Sequence, residues 1–280
     1  MTRILHISDV HFGWPAVPEQ ADAVEAIAQH EAFDVIALSG DLAQRARAGE
    51  FQRAAVFLRD VRRPATPGQL APALIVVPGN HDVAWWFAPL GIGQRWRVYE
   101  KYRRYITSDL EPELHVPGVT FVGLNTAAGV AWHTLSWNPR NLSVMGGLRR
   151  RQLERAAAIF ARAPAGDRRV IVMHHNPMRG ELSGRYGLLR SRAVLAAFDE
   201  MGVNLVLCGH DHQEAIHYVE ESSHGFVVST AGTISSRSRG GRPSAINVVT
   251  LTAQAVEVET RTWRVETQRF EREAVRCFGR

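Results

Sequence analysis

Five short clusters along this 280-residue chain carry the residue types that bind metals and move protons: Asp9-Val10-His11, Gly40-Asp41, Gly79-Asn80-His81-Asp82, His174-His175 and Gly209-His210-Asp211-His212. Within them Asn80 offers a neutral oxygen to a metal, His81 offers a proton or an acceptor nitrogen, and Asp82 can orient that imidazole through its second ring nitrogen. Asp9 and His11 flank one residue, so an extended backbone turns both side chains to one face. Carboxylates and imidazoles brought side by side at buried strand ends are costly unless something neutralises them. Two divalent cations would do so. A carboxylate can bridge two of them, and this mixture of imidazole, carboxylate and amide oxygen suits zinc, manganese, iron or cobalt, whereas calcium and magnesium prefer fewer histidines. A lone histidine on an apolar segment is ordinarily a hydrogen-bonded core residue, and His6, His30, His115, His217 and His224 are read that way.

Each cluster follows an apolar run that must position it. Strands are expected over 4–7, 34–38, 74–77, 119–124, 169–173 and 204–208, and helices over 19–30, 49–61, 147–162 and 190–200, with apolar residues at helical spacing. Pro78-Gly79 stops the third strand and turns the chain into Asn80. This strand-helix-strand rhythm, with polar residues at the strand ends, predicts parallel pairing in an α/β protein. Four further strands, 215–220, 225–229, 245–251 and 256–263, follow with little helix between them and predict an antiparallel meander, a second sheet added to the first. Residues 266–277 read as a C-terminal helix. Between 83 and 114 the pattern breaks into an aromatic-rich stretch: Trp85, Trp86, Phe87, Trp96, Tyr99, Tyr102 and Tyr105. Trp96, Tyr99 and Arg103 are spaced for one helix face. The stretch is either a helical insertion packed onto the body or a cap whose aromatics line a substrate pocket. A long loop with Trp132, His133 and Trp137 is a second candidate for a substrate-facing edge. No linker, repeat or low-complexity tract divides residues 1–280, and a single domain is expected.

With 45% hydrophobic and 22% charged residues, the chain has the composition of a folded globular protein. No apolar run is long enough to span a membrane. The N-terminus runs straight into a strand with no signal-peptide pattern. Cys208 and Cys277 lack zinc or redox spacing, which predicts reduced thiols, a cytoplasmic location and a metal held by nitrogen and oxygen. The net charge of +5 favours anionic partners. Because Lys101 is the only lysine, the positive charge is an arginine bias of the whole chain as much as a binding surface, and nucleic-acid binding is possible but not favoured.

In this order and at these strand ends, Asp9-Val10-His11, Gly40-Asp41, Gly79-Asn80-His81-Asp82, His174-His175 and Gly209-His210-Asp211-His212 resemble the signature of the calcineurin-like metallophosphoesterases, in particular the small bacterial phosphodiesterases. Ala231-Gly232-Thr233 and the Ser-Arg-rich turn over 235–242 extend the resemblance. It implies a four-layer α-β-β-α sandwich, with two mixed β-sheets packed face to face and flanked by helices. It implies two divalent transition metal ions: Asp9, His11, Asp41 and His212 would hold one, and Asp41, Asn80, His174 and His210 the other, with Asp41 bridging. The family's usual motif places Pro two residues beyond its liganding histidine, which points to His175; its His-His-Pro form, in which Asn176 here takes the place of the Pro, and strand register counted from Val170 point to His174, the residue preferred. His81 would face the leaving group with Asp82 orienting it, while a hydroxide bridging the metals attacks phosphorus. The implied activity is hydrolysis of phosphodiester bonds in a small phosphodiester or nucleotide, a cyclic nucleotide first among them. The alternatives are a nucleotide or lipid-linked pyrophosphatase or a nuclease. Non-catalytic scaffolds of this fold have eroded ligand sets, and here every expected ligand type is present. Arg237 and Arg239 are candidates for contacting substrate phosphate.

Overall fold

The computed structural model describes residues 1–279 except 15, 65, 67, 89–91, 128–144, 183, 185 and 221–224. The expected loop with Trp132, His133 and Trp137 lies outside the described residues. Strands β1 (Thr2–Ile7), β2 (Val35–Leu38) and β3 (Ala73–Val76) run parallel. Helices α1 (Pro18–His30) and α2 (Ala48–Asp60) connect them. The short helix α3 (Glu100–Tyr105) leads to β4 (Glu113–Val116) and β5 (Val119–Leu124), after which come α4 (Arg150–Arg162), β6 (Arg168–His175), α5 (Ser191–Glu200) and β7 (Leu205–Gly209). Strands β8 (Ala215–Val219), β9 (Phe226–Thr230), β10 (Ala245–Leu251), β11 (Ala255–Arg264) and β12 (Arg269–Gly279) complete the chain.

Among the described residues, twelve strands make two six-stranded sheets, ordered β12-β11-β10-β1-β2-β3 and β4-β5-β6-β7-β9-β8. Both are mixed: the first is parallel over β1-β2-β3 and antiparallel from β1 through β10 and β11 to β12, and the second has a parallel core of β5-β6-β7-β9 with antiparallel margins β4 and β8. The period-two alternation of the strands sets the layers. In β2, Val35 and Ala37 point into an inner core shared with Phe121, Val172 and Leu207 of the other sheet. Ile36 and Leu38 point outward against Val24 of α1 and Phe51 and Phe57 of α2. In β6, Ile171 and Met173 face Ile159 and Phe160 of α4 and Phe198 of α5. The result is the expected α-β-β-α sandwich.

Two expectations are corrected. The late strands do not form a sheet of their own. β8 and β9 extend the second sheet, where β9 pairs parallel with β7, and β10 to β12 extend the first across β1. Residues 266–277 are not helical: β12 is an edge strand with a ten-residue pairing to β11. Only Phe270 along it is buried, so it has no apolar alternation to display. Cross-strand pairs of Arg272 with Glu259 and of Arg264 with Glu273 line its exposed face. The aromatic stretch is two short 3-10 turns, Trp85–Phe87 and Arg95–Arg97, followed by α3. Tyr102 is wholly buried against Phe51, whereas Trp85, Trp86 and Trp96 are exposed. Among the described residues no helix is long and apolar enough to cross a membrane.

Candidate metal centre

β1, β2 and β3 end in register, with Ile7 beside Leu38 and Leu38 beside Val76. Their loops stay paired: the Asp9 N–H donates to the Gly40 carbonyl and the His11 N–H to the Asp41 carbonyl. Across the sandwich, β6 and β7 end on His175 and Gly209, which are paired after a register shift beyond Val172. Asp9, His11, Asp41, His210 and His212 all adopt left-handed backbone, with φ between 52° and 75°. They are five of the eight non-glycine residues with positive φ among those described. Each such residue costs on the order of 1 kcal/mol, and such strain gathers where the surroundings force a side chain into a working position. Close packing adds to the constraint. A Cβ on Gly79 would lie 2.1 Å from Asp41 Oδ1, and one on Gly209 would lie 1.8 Å from Ser8 Oγ.

The loops bring two groups of ligand atoms together. Asp9, His11, Asp41 and His212 each place one within 4.8 Å of the others, and all four residues are buried. His212 Nε2 lies 3.1 Å from both His11 Nε2 and Asp9 Oδ1. In the second group, His174 Nε2 is 3.0 Å and His210 Nδ1 is 3.1 Å from Asn80 Oδ1. Asp41 Oδ2 stands between the groups, 3.7 Å from His11 Nε2 and 3.4 Å from His174 Nε2. Each carboxylate is anchored by one oxygen only: Asp9 Oδ2 accepts the His210 N–H and Asp41 Oδ1 accepts the His81 N–H. Asp9 Oδ1 and Asp41 Oδ2 are buried and accept no hydrogen bond. Buried acceptors without donors are costly, and these two converge with imidazole nitrogens and an amide oxygen. That donor set fits borderline divalent transition metals.

The main chain sets the imidazole orientations. His174 donates from Nδ1 to the Ser39 carbonyl at 2.8 Å, and His212 from Nδ1 to the Arg237 carbonyl at 3.1 Å. Hydrogen bonds of this kind fix tautomer and ring angle in metal-binding histidines. His175 also falls in a group with His174 and His210 within 4.8 Å. Its Nδ1 is occupied by the Thr126 hydroxyl at 2.7 Å, and of the two neighbours it is His174 whose second nitrogen faces both Asn80 and Asp41.

Burial penalises charge throughout the cluster, yet the carboxylates stay ionised. At Asp9 burial is outweighed by His212 and His11, which hold it well below the ordinary range. At Asp41 it is outweighed by His174 and His81, with the same direction. Burial lowers His11 to about 4 and His210 to about 3. At His174 burial is overcome by the Asp41 carboxylate, which raises the imidazole to about 9. Two buried carboxylates therefore converge here, each with one oxygen accepting no hydrogen bond, and bound cations would offset their charge.

Asp82 does not orient His81, contrary to expectation. Its carboxylate accepts the backbone N–H groups of Gly79, Leu42 and Ala43 and ties the β3 loop to the β2 loop. Burial, and then the Asp41 charge, raise it to about 7 against those three donors. His81 is held instead by the Gln44 carbonyl, 2.8 Å from Nδ1. Its Nε2 accepts from the Arg237 guanidinium at 3.2 Å, and the same guanidinium nitrogen also donates to Gln44 Oε1. The carbonyls of Ser39, Gln44 and Arg237 had no signal in the sequence, because every residue carries one. Thr126 was within reach, as another polar residue just beyond a strand end.

The model of the calcineurin-like phosphoesterase family matches residues 2–214, and the chain belongs to that family. Among curated proteins none matches. Solved structures share the fold at low identity. Purple acid phosphatase PPD1 of yellow lupin, Lupinus luteus, is 12% identical with a TM-score of 0.66, over 100% of this chain and 54% of that one. GAP50, the anchor in the inner membrane complex of Plasmodium, is 12% identical with a TM-score of 0.60, over 99% of this chain and 88% of that one. A putative 5′-nucleotidase of Staphylococcus aureus is 14% identical with a TM-score of 0.52, over 99% and 54%. The chain thus spans about half the length of the lupin and staphylococcal proteins.

Proposed function

We propose that this metallophosphoesterase hydrolyses phosphodiester bonds of small nucleotide substrates at a binuclear metal centre, a cyclic nucleotide being the smallest such substrate. The observation that carries this reading is the position of Asp41 Oδ2, buried, without a hydrogen bond and within 4 Å of imidazoles from both ligand groups. Asp9, His11, Asp41 and His212 would hold one cation, and Asp41, Asn80, His174 and His210 the other, with manganese, iron or zinc suited to the donors. When bound, the cations supply Lewis-acid charge that polarises phosphoryl oxygens and lowers the pKa of water.

The chain's own residues do the rest. The backbone N–H of His81 holds Asp41 Oδ1 in place, which leaves Oδ2 facing the imidazoles of His11 and His174. The Arg237 guanidinium, half-buried beside His81, offsets charge on the phosphoryl oxygens, which such preorganised donors do effectively away from water. When substrate phosphate takes the Arg237 N–H groups, His81 Nε2 is released to hold a proton against the departing oxygen. Gln44 keeps the other nitrogen of His81 protonated and so fixes which one faces the substrate. Asp82 acts one step back, by holding together the loops that carry Asp41 and Asn80.

The test is metal analysis of the purified protein, with turnover before and after chelation and re-addition of Mn²⁺. The substrates span phosphomonoesters, cyclic and linear diesters, and pyrophosphates. One to two transition metals per chain, loss of activity on chelation and a preference for diesters are expected. A protein free of metal, with activity indifferent to chelator, would remove the hydrolase reading.

A further inference from the structure

From the His81 side of the centre a cavity of about 560 Å³ opens outward, lined by Gln44, Arg45, Arg47, Val83, Trp85 and Trp86 as well as Asn80 and His81. That is within the roughly 300–1,000 Å³ of small-molecule sites. Among the described residues no acidic side chain lines it. Arg45 and Arg47 are exposed, and among the described residues neither guanidinium is in an ion pair. Trp85 and Trp86 are 44% and 43% exposed, although large aromatics without a task are usually covered.

These walls are braced. The Glu50 carboxylate accepts the backbone N–H groups of both Arg45 and Arg47. Ala46 between them is left-handed, and its carbonyl accepts from Lys101. Trp86 packs on Phe87, whose other neighbour is the Arg97 guanidinium 4.0 Å from the ring centroid. Trp85 meets Trp86 edge to face, with centroids 6.1 Å apart. The cavity therefore combines two exposed indole rings with two guanidinium groups on a braced backbone, and shares Asn80 and His81 with the candidate centre.

Resting on the phosphodiesterase reading above, we infer that this cavity is a nucleotide subsite: Trp85 and Trp86 stack the base of the leaving side of the substrate, and Arg45 and Arg47 hold a second phosphate. The chemistry selects this ligand over others. Indole faces accept any base by stacking, whereas a lipid chain needs an aliphatic groove, and among the described lining residues Val83 is the only aliphatic side chain. Two arginines outside any described ion pair call for anionic charge beyond the phosphate undergoing reaction. A cyclic mononucleotide has one phosphate and fills half of such a site. A linear dinucleotide or a nucleoside diphosphate derivative fills both parts.

The metal-loaded chain is titrated with α,β-methylene-ADP, ribose 5-phosphate and inorganic pyrophosphate, followed by tryptophan emission and calorimetry. Methylene-ADP should quench emission and bind about tenfold or more tighter than either fragment, the step expected from one stacked base. The Trp85→Ala/Trp86→Ala double variant should lose that margin, and the Trp85→Phe/Trp86→Phe variant should keep the affinity but lose the quench. Arg45→Gln/Arg47→Gln should weaken methylene-ADP and pyrophosphate alike. In turnover, a linear 5′-phosphorylated diadenylate should exceed cyclic AMP in kcat/KM. Equal affinity for methylene-ADP and pyrophosphate, or full affinity in the double alanine variant with native circular dichroism, would overturn the subsite. Diester turnover would then leave the phosphodiesterase reading standing. Tight nucleotide binding with no turnover of any diester would instead remove that reading and leave the subsite.

Discussion

One oxygen of Asp41 is anchored on the His81 N–H, while the other faces imidazoles of both ligand groups. Asp41→Asn removes the negative charge that both proposed cations share, and should lower metal content at both positions and abolish turnover. His81→Ala takes away no proposed ligand. Metal content should stay near that of the wild type while turnover falls by roughly 10²–10⁴-fold, the usual contribution of a positioned acid. The fall should be smaller for a nitrophenyl ester, whose leaving group departs without a proton. Metal analysis and turnover on two diesters decide both cases: a metal-replete, active Asp41→Asn removes the bridge, and metal loss in His81→Ala makes His81 a ligand. Asp82 belongs to a different category from the one its sequence neighbour suggested. With three buried N–H groups on its carboxylate, Asp82→Ala strands three donors, at about 1–3 kcal/mol for each one left unmet. It should appear first as a lower Tm, and an Asp82→Ala protein as stable as wild type would remove the loop-tying role. The residue types gathered at the candidate centre were legible because carboxylate, amide and imidazole side chains at buried strand ends are costly without a cation to share. Which group holds which was not, since the partners are mostly main-chain atoms with no sequence signature.

At the scale of elements, the early strands and the helices declared themselves through their periods, because each has one face toward a core and one toward the other layer or solvent. β12 did not. Its Glu, Arg and Ala residues are helix formers, and its pairing to β11 is a backbone interaction between segments that side-chain pattern does not report. The short β4 was hidden for a related reason: Glu113–Val116 is only half-buried at a sheet edge. The helix pair α1–α2 carries a testable flaw. Glu25 of α1 lines the cleft against α2 beside Asp22, Arg53, Val56 and Phe57. Burial, then the charges of Asp60 and Asp22, raise it to about 6 from an ordinary 4.5, with Arg63 and Arg59 opposing. The folded state therefore holds the proton more tightly than the unfolded one. The associated stability is present below pH 4.5 and is lost as pH rises through about 6. Glu25→Gln should accordingly raise Tm at about pH 8 and leave it unchanged at about pH 4. Because the group is largely solvated, the gain should be no more than about 2 °C. A gain of equal size at both pH values would point to packing and not to charge.

Across the whole molecule the proposed centre joins the two sheets. Asp9, His11, Asp41 and Asn80 leave the ends of β1, β2 and β3, whereas His174, His210 and His212 leave β6 and β7 of the facing sheet. Between the sheets lies the apolar inner core of Val35, Ile75, Phe121, Val172 and Leu207, which holds the layers together without specifying how their loop ends meet. Cations held by ligands from both sheets would add that specification, and would favour the folded chain because the unfolded chain has no such site. Metal at a hundredfold excess over its Kd should then add about 2.7 kcal/mol per site. In urea this appears as a higher midpoint with an unchanged m-value, since the surface exposed on unfolding is the same. The increment should fall by about half when a ligand is removed from either site, in Asp9→Asn of the first site as much as in His210→Ala of the second. The comparison is urea unfolding of wild type and the two variants, with and without Mn²⁺. If metal stabilises wild type and Asp9→Asn equally, Asp9 holds no cation and the first site must be redrawn. If it stabilises none of them, the buried carboxylate oxygens serve something other than a metal. If each of the two ligand variants loses its site's share of the increment, the centre is the clasp between the layers, and the left-handed strain at its loops is held in the folded state with the help of the ions.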